Sequence, residues 1–271
     1  SSNIGAAQMA RDVGAERQKE FLSRLGMLAP LPLELSENGR PLSPRHWREI
    51  NTMTISYGHG IAVSPLQLAS GIGALVNGGI LYDATLLKSP KNQKPTGVRV
   101  IKDKTSRMMR DLMRLVVREG TGKKAEVPGY FVGGKTGTAE KPGVSQRGYR
   151  ARRIISSFVA AFPMTSPKYV VLALLDEPKG SRATHGYATG GWVAAPVIHN
   201  IVRQMAPIVG IEPSTITEKL TKPGDDLYLA RSHKANPKPA QTRRRTSNFE
   251  KKISELLRST VKPRGRAVAA N

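Results

Sequence analysis

The sequence predicts an α+β fold in which helices pack with a single antiparallel sheet. Three observations carry this. Apolar residues recur at helical spacing through much of the first 118 positions, the period shortens to that of strands between residues 130 and 176, and one further helical segment follows at 193–206.

Residues 1–27 read as helical. Ile4, Ala7, Met9 and Val13 are followed by Phe21, Leu22 and Leu25, and Gly26 supplies a stop. From Met27 to Trp47 the chain is punctuated by proline and glycine, from Ala29-Pro30-Leu31-Pro32 to Ser43-Pro44, which predicts a loop. Ser64-Pro65 is an N-cap followed by proline at the first helical position. The run Leu66, Leu68, Ala69, Ile72, Leu75, Val76 then continues as a buried helix up to Asn77-Gly78-Gly79. Met108, Met109, Leu112, Leu115 and Val116 set a helix over 103–118, closed by Glu119-Gly120. Residues 130–139, 153–162 and 168–176 are short and rich in Val, Ile, Phe and Tyr, so three strands are expected. Their short connections favour consecutive antiparallel pairing. From about residue 214 Lys, Arg, Pro and Ser replace the apolar pattern. The reading therefore divides the chain into a domain at 1–213 and a basic, largely disordered tail at 214–271, with one short helix near 248–258.

A formal net charge of +23 calls for a polyanionic neighbour, whether nucleic acid, an anionic membrane surface or an acidic polymer. With no cysteine, disulfides and thiol-based catalysis or metal sites are excluded. No stretch approaches the ~20 apolar residues of a membrane span. The chain opens on Ser-Ser-Asn without a basic or apolar leader, and residue 1 is read as an artificial or processed start.

The segment richest in chemistry is Gly133-Gly134-Lys135-Thr136-Gly137-Thr138. Two patterns fit it. Gly129, four residues, then Gly134-Lys135-Thr136 satisfies the phosphate-binding loop, which would make the chain a nucleotide-binding protein. That loop needs an apolar strand before its first glycine and a helix beginning at its lysine. Here Lys123-Lys124-Ala125-Glu126-Val127-Pro128 precedes, and Gly137 and Pro142-Gly143 follow. The second pattern is an edge strand beside an active site. It points Lys135 and Gly137 to one face and Thr136 and Thr138 to the other. Gly137 then leaves room for a substrate backbone, Lys135 supplies a positive field for an anionic substrate, and the Thr138 amide can serve as an oxyanion donor.

Lys-Thr-Gly followed by Thr is the third motif of the penicillin-binding proteins and serine β-lactamases, and Ser1-Ser2-Asn3 matches their second, Ser-x-Asn. With Ser56-Tyr57-Gly58-His59-Gly60, Ser64-Pro65-Leu66-Gln67-Leu68-Ala69, Asn77-Gly78-Gly79 and Gly190-Gly191 running into Ala194-Ala195-Pro196-Val197, residues 1–213 resemble the latter part of a class B penicillin-binding protein, most like the division-specific type. The resemblance implies a β-lactamase/transpeptidase-like fold and a peptidoglycan D,D-transpeptidase that crosslinks stem peptides in septal wall synthesis. It implies that Ser1 relays a proton and that Asn3 hydrogen-bonds the substrate amide. Lys135 and the hydroxyls of Thr136 and Thr138 would recognise the donor's terminal carboxylate. It further implies β-lactam binding, an inner-membrane protein with its catalytic domain in the periplasm, division-complex partners including a glycan-polymerising one, and no metal or organic cofactor.

The family's first motif, Ser-x-x-Lys, precedes the Ser-x-Asn triplet and supplies the nucleophile and its base. The match at Ser259-Thr260-Val261-Lys262 sits in the basic tail rather than at the head of an apolar helix, so it is not read as that motif. Residues 1–271 are thus expected to be a fragment, truncated at the N-terminus, without the nucleophile helix or the first two strands of the family's sheet and inactive alone. Ser36-Glu37-Asn38 repeats the second motif's letters inside the proline-rich loop and reads as a turn. His59 is read as structural or solvated, and His46, His185 and His199 are scattered without metal-ligand spacing. For the tail, solvated disorder and contact with anionic lipid or wall polymer both stand. Nonspecific nucleic-acid binding gains from Arg243-Arg244-Arg245 but has no recognition motif and few aromatics.

Overall fold

The computed structural model describes residues 2–35, 37–88, 95–141 and 153–214, all within Ser1–Thr221, one of two units into which the chain divides. The α+β class holds. The stretch read as helical over 1–27 holds two helices, α1 (Asn3–Val13) and α2 (Ala15–Arg24). The break is at Gly14, whose φ of 86° leaves helical space while its N–H still donates to the Ala10 carbonyl at 2.9 Å. Ser2 caps α1, its Oγ accepting from the Gly5 N–H at 3.1 Å.

After the expected loop comes α3 (Glu49–Ile55), a short helix the sequence pattern did not mark. Its start is fixed by side chains: the Asn51 Oδ1 accepts from the Arg48 N–H at 2.9 Å, and the Trp47 Nε1–H donates to the buried Thr52 Oγ1 at 3.0 Å. The next helix, α4 (Pro65–Val76), begins as read, with Ser64 Oγ accepting from the Gln67 N–H at 3.2 Å. Its last turn enters two different clusters. Ala74 packs with Leu25, Met27 and Val100, whereas Val76 packs with Met113, Ala161 and Met164.

Two short strands, β1 (Ile80–Tyr82) and β2 (Gly97–Arg99), pair antiparallel before α5 (Asp103–Arg118). Buried Ser106 in the first turn of α5 ties off α4: its hydroxyl donates to the Leu75 carbonyl at 2.7 Å and accepts from the Gly78 N–H at 3.0 Å. That one side chain satisfies two backbone groups that the end of α4 would otherwise leave open.

The main sheet has the order β3-β4-β5, with β3 at Gly133–Glu140, β4 at Ile154–Phe162 and β5 at Tyr169–Asp176, each pair antiparallel. Cross-strand partners share a face. Thr136 lies opposite Phe158 and Thr138 opposite Ser156, while Lys135 lies opposite Val159 and Gly137 opposite Ser157. The face carrying Thr136 and Phe158 packs against α7 (Ala195–Ile208), where Phe158, Ile198 and Val202 are fully buried in one cluster. The opposite face meets α4 and α5 through Ala161. The sheet is therefore sandwiched between α7 on one side and α4 with α5 on the other.

Candidate active site

Among the described residues the sheet order gives β3 one neighbour, so about half its backbone amides point outward, away from β4. Lys135, Thr136, Gly137 and Thr138 sit in the middle of this strand. The Lys135 ammonium donates to the Thr136 carbonyl at 2.8 Å. Its desolvation against the strand holds the Lys135 pKa below the ordinary lysine value.

On the other face the threonines are tied to two separate segments. The Thr136 and Thr121 hydroxyls are 3.0 Å apart, and Thr138 Oγ1 accepts from the Gly190 N–H at 3.1 Å. One strand away, the buried Ser156 hydroxyl donates to the Ala188 carbonyl at 2.5 Å. Residues 188–190 are thus pinned to the sheet by two hydroxyls, which seats the short helix α6 (Gly190–Val193) beside the strand. Only glycine fits at position 190, because a Cβ there would lie 2.6 Å from the Gly137 carbonyl oxygen and 2.3 Å from that of Ser157. Gly137 has its own internal reason: a Cβ would lie 2.5 Å from the Ser157 hydroxyl.

Thr121 is carried by the turn leading from α5 into a 3-10 turn at Lys123–Ala125. That turn is anchored from within. The Gly122 N–H donates to the Val116 carbonyl at 3.0 Å, and Arg114, ion-paired with Glu126, also donates to the Val132 carbonyl at 2.7 Å, next to the start of β3. Behind it, His199 Nδ1 lies 2.6 Å from the Glu126 carbonyl oxygen.

Between the two segments opens a pocket of about 390 Å³, with Thr136 and Thr138 on its strand side. Thr121, Lys123 and Lys124 form a second wall, and Thr189, Gly191 and Trp192 a third. The Lys124 ammonium lies 3.8 Å from the Trp192 ring centroid. Of these residues outside the strand, Gly191 contributes to the family resemblance, and none reads from sequence as a site residue. They come from turns whose spacing repeats nothing, and only the fold brings them to the strand.

The remaining sequence-derived positions fare unevenly. Asn3 is the first residue of α1, exposed, on a helix that packs against α3, and among the described residues it makes no hydrogen bond to β3. Ser1, Ser36, Arg243-Arg244-Arg245, the segment Ser259–Lys262 and the helix expected near 248–258 lie outside the described residues. The phosphate-loop alternative fails on geometry. Lys135 and Thr136 are inside a strand, and no helix begins at Thr136 as that loop requires. His59 meets Tyr57 edge-on and His185 meets Trp192 edge-on, and among the described residues no group of three or more His, Cys, Asp or Glu converges on a common point.

A Lys-Thr-Gly-Thr strand at the edge of an antiparallel sheet, with helices on both faces, defines the β-lactamase/transpeptidase class of serine acyl-transfer folds. Within that class the chain belongs to the penicillin-binding protein transpeptidase domain family, whose model matches residues 1–203. The chain is 44% identical over 222 residues to a probable peptidoglycan D,D-transpeptidase FtsI of Caulobacter vibrioides, covering 79% of this chain and 38% of that protein. It is 34% identical over 225 residues to stage V sporulation protein D of Bacillus subtilis, covering 79% and 34% respectively. Among solved structures, the transpeptidase domain of Burkholderia pseudomallei penicillin-binding protein 3 superposes with a TM-score of 0.70 at 36% identity, over 78% of this chain and 63% of that one. Penicillin-binding protein 3 of Mycobacterium tuberculosis, solved with ampicillin, gives a TM-score of 0.71 at 25% identity, over 80% of this chain and 51% of that one. The chain spans less than two-fifths of the length of these two curated relatives.

Proposed function

We propose that the chain carries the donor-recognition side of a peptidoglycan D,D-transpeptidase site. The observation that supports it most is the edge position of β3, with Lys135 on one face and Thr136 and Thr138 on the other, facing an open pocket. In this reading a serine outside residues 1–271 attacks the carbonyl of the penultimate residue of a stem peptide ending in D-Ala-D-Ala. The carbonyl oxygen takes the developing negative charge, and the Thr138 amide is one donor to it. The bond to the terminal D-Ala breaks and that residue leaves with a proton, relayed by the hydroxyl of Ser1. An amine of a neighbouring stem peptide then displaces the serine and forms the crosslink. Asn3 hydrogen-bonds the donor's amide, the hydroxyls of Thr136 and Thr138 hold its terminal carboxylate, Lys135 sets the positive field, and Gly137 keeps the strand open to the substrate backbone. β-Lactams present the same carboxylate and acylate the same serine, in keeping with the ampicillin complex of the M. tuberculosis relative.

The same resemblance supports a place in septal wall synthesis, with a domain at 1–213 held at the periplasmic side of the inner membrane near a glycan-polymerising partner, and a basic tail at 214–271 that can meet anionic lipid or wall polymer. Among the described residues no helix is long and apolar enough to cross a membrane.

The protein expressed from its intact gene should release D-alanine from a stem pentapeptide and form crosslinked dimers. Capture of the anionic donor should weaken as pH rises, because a lysine loses its charge on deprotonation. The lowered Lys135 pKa brings that loss below the 10.5 of an ordinary lysine. A D-alanine release assay across pH with wild type and Lys135→Arg tests this. Arginine stays charged, so the variant should lack the alkaline limb. No D-alanine release from the intact protein would refute the activity, and an identical alkaline limb in the variant would remove Lys135 from the account.

A further inference from the structure

We propose that Lys124, clamped over the ring of Trp192, is a specificity-determining residue whose ammonium selects donors bearing a carboxylate at the pocket beside Thr136 and Thr138. The inference rests on the transpeptidase reading and adds to it two residues that lie outside the Lys135–Thr138 strand.

The pocket's composition points to an anion. Among the described residues its lining carries four threonines and two lysines but no Asp or Glu. Hydroxyls and ammonium groups both donate, so a carboxylate inside meets donors on every polar side. The volume of about 390 Å³ exceeds what one carboxylate needs, so the acid group enters together with the part of the donor that carries it.

Lys124 is not placed as a free surface lysine would be. Its ammonium is 3.8 Å from the Trp192 centroid, and Trp192 is in turn stacked on Tyr187 with centroids 5.3 Å apart and planes 19° apart. The ring quadrupole attracts the cation without neutralising it, so the full charge remains for an incoming anion. Holding the long side chain in one direction also removes most of the rotamer freedom that an exposed lysine would lose on binding. The ring itself is fixed through α6, because Gly190 is hydrogen-bonded to Thr138. Lys124, Trp192 and the two strand threonines are therefore one rigid constellation, assembled from the turn after α5, from α6 and from β3.

The protein from its intact gene is assayed for acylation by benzylpenicillin and by its uncharged methyl ester, in wild type, Lys124→Gln, Lys124→Arg and Trp192→Leu. Lys124 is exposed, so its variants should melt with wild type. Lys124→Gln should shrink the preference for the free acid roughly two- to fivefold, the scale of a charge contact made by an exposed side chain. The loss should fall on the half-saturating concentration rather than on the limiting rate. Lys124→Arg should restore the preference and Trp192→Leu should lose part of it. A parallel titration follows the Trp192 indole ¹⁵N–¹H signal, which should shift with the acid, less with the ester, and less again in Lys124→Gln. If wild type acylates and Lys124→Gln slows acid and ester equally, the inference is wrong while the transpeptidase reading stands. If wild type does not acylate, the transpeptidase reading fails. In that case a Lys124-dependent indole shift that favours the acid keeps the anion site, and an unmoved indole signal removes it as well.

Discussion

Replacing Lys135 by alanine should slow acylation of the intact enzyme by penicillin roughly 10²- to 10³-fold, the usual effect of deleting one preorganised electrostatic group from an acyl-transfer site. The reason lies in where the charge sits. Lys135 is on the face of β3 opposite Thr136 and Thr138, its ammonium is held 2.8 Å from the Thr136 carbonyl, and it is partly desolvated. A cation in that setting is felt more strongly than one in bulk water. Folding should hardly notice: the side chain remains exposed, and a surface truncation away from a core or cap stays within about 0.5 kcal/mol. Stopped-flow acylation with a chromogenic β-lactam, set beside thermal melts of both proteins, measures the two effects separately. An alanine variant acylated at the wild-type rate would show that Lys135 takes no part in the site.

The second large effect is structural. Phe158→Ala should destabilise the domain by about 3–5 kcal/mol, the range for truncating a large buried aromatic. Phe158 is fully buried on β4 beneath Thr136, in the cluster formed with Ile198 and Val202 of α7. Its ring also touches both structures that build the pocket. A Cβ at Gly134 of β3 would lie 2.3 Å from it, and one at Gly122, in the turn carrying Thr121 and Lys124, would lie 2.9 Å from it. Neither glycine carries a side chain that could turn into the hole, so the cavity would persist. Phe158→Leu should cost markedly less, because most of the volume remains. Chemical unfolding of the three proteins, with acylation rates measured below the transition, tests the prediction. A wild-type midpoint for Phe158→Ala would mean that the sheet and α7 are not packed through this ring.

What could be read from sequence tracks the length and regularity of each element. The helix at 103–118 carries five well-spaced apolar residues and a polar stop, and α5 has those bounds. The three strands of the main sheet were legible from their β-branched and aromatic content, and the expected pairing of consecutive strands holds, although only the β4–β5 connection is short. The break at Gly14 was not legible, because glycine within an apolar period reads as a tolerated defect until its φ is known. Helix α3 and the three-residue strands β1 and β2 are too short to set a period and are defined by side-chain caps and by pairing.

The site divides in the same way. Lys135 through Thr138 are contiguous, so strand alternation alone assigns their faces. Thr189 and Trp192 meet them through the hydroxyl contacts of Ser156 and Thr138 and one glycine–glycine approach, Thr121 and Lys124 through the Thr121–Thr136 contact and the anchored turn after α5, and nothing local in the sequence encodes that meeting. The Gly129–Thr136 match to a phosphate loop shows the converse. Letters at the right spacing make no phosphate-binding loop when the backbone under them is a strand.

Under the proposed function, Lys135–Thr138 completes a penicillin-binding site with a serine that residues 1–271 do not supply. Fluorescent penicillin labelling followed by peptide mapping tests it most directly, run on the protein from its intact gene and on a polypeptide of residues 1–271. The account predicts a denaturation-resistant label on the intact protein, at a Ser-x-x-Lys serine encoded before Ser1, and no label on the shorter polypeptide. A serine-linked label within residues 1–271, at Ser259 or elsewhere, would contradict it.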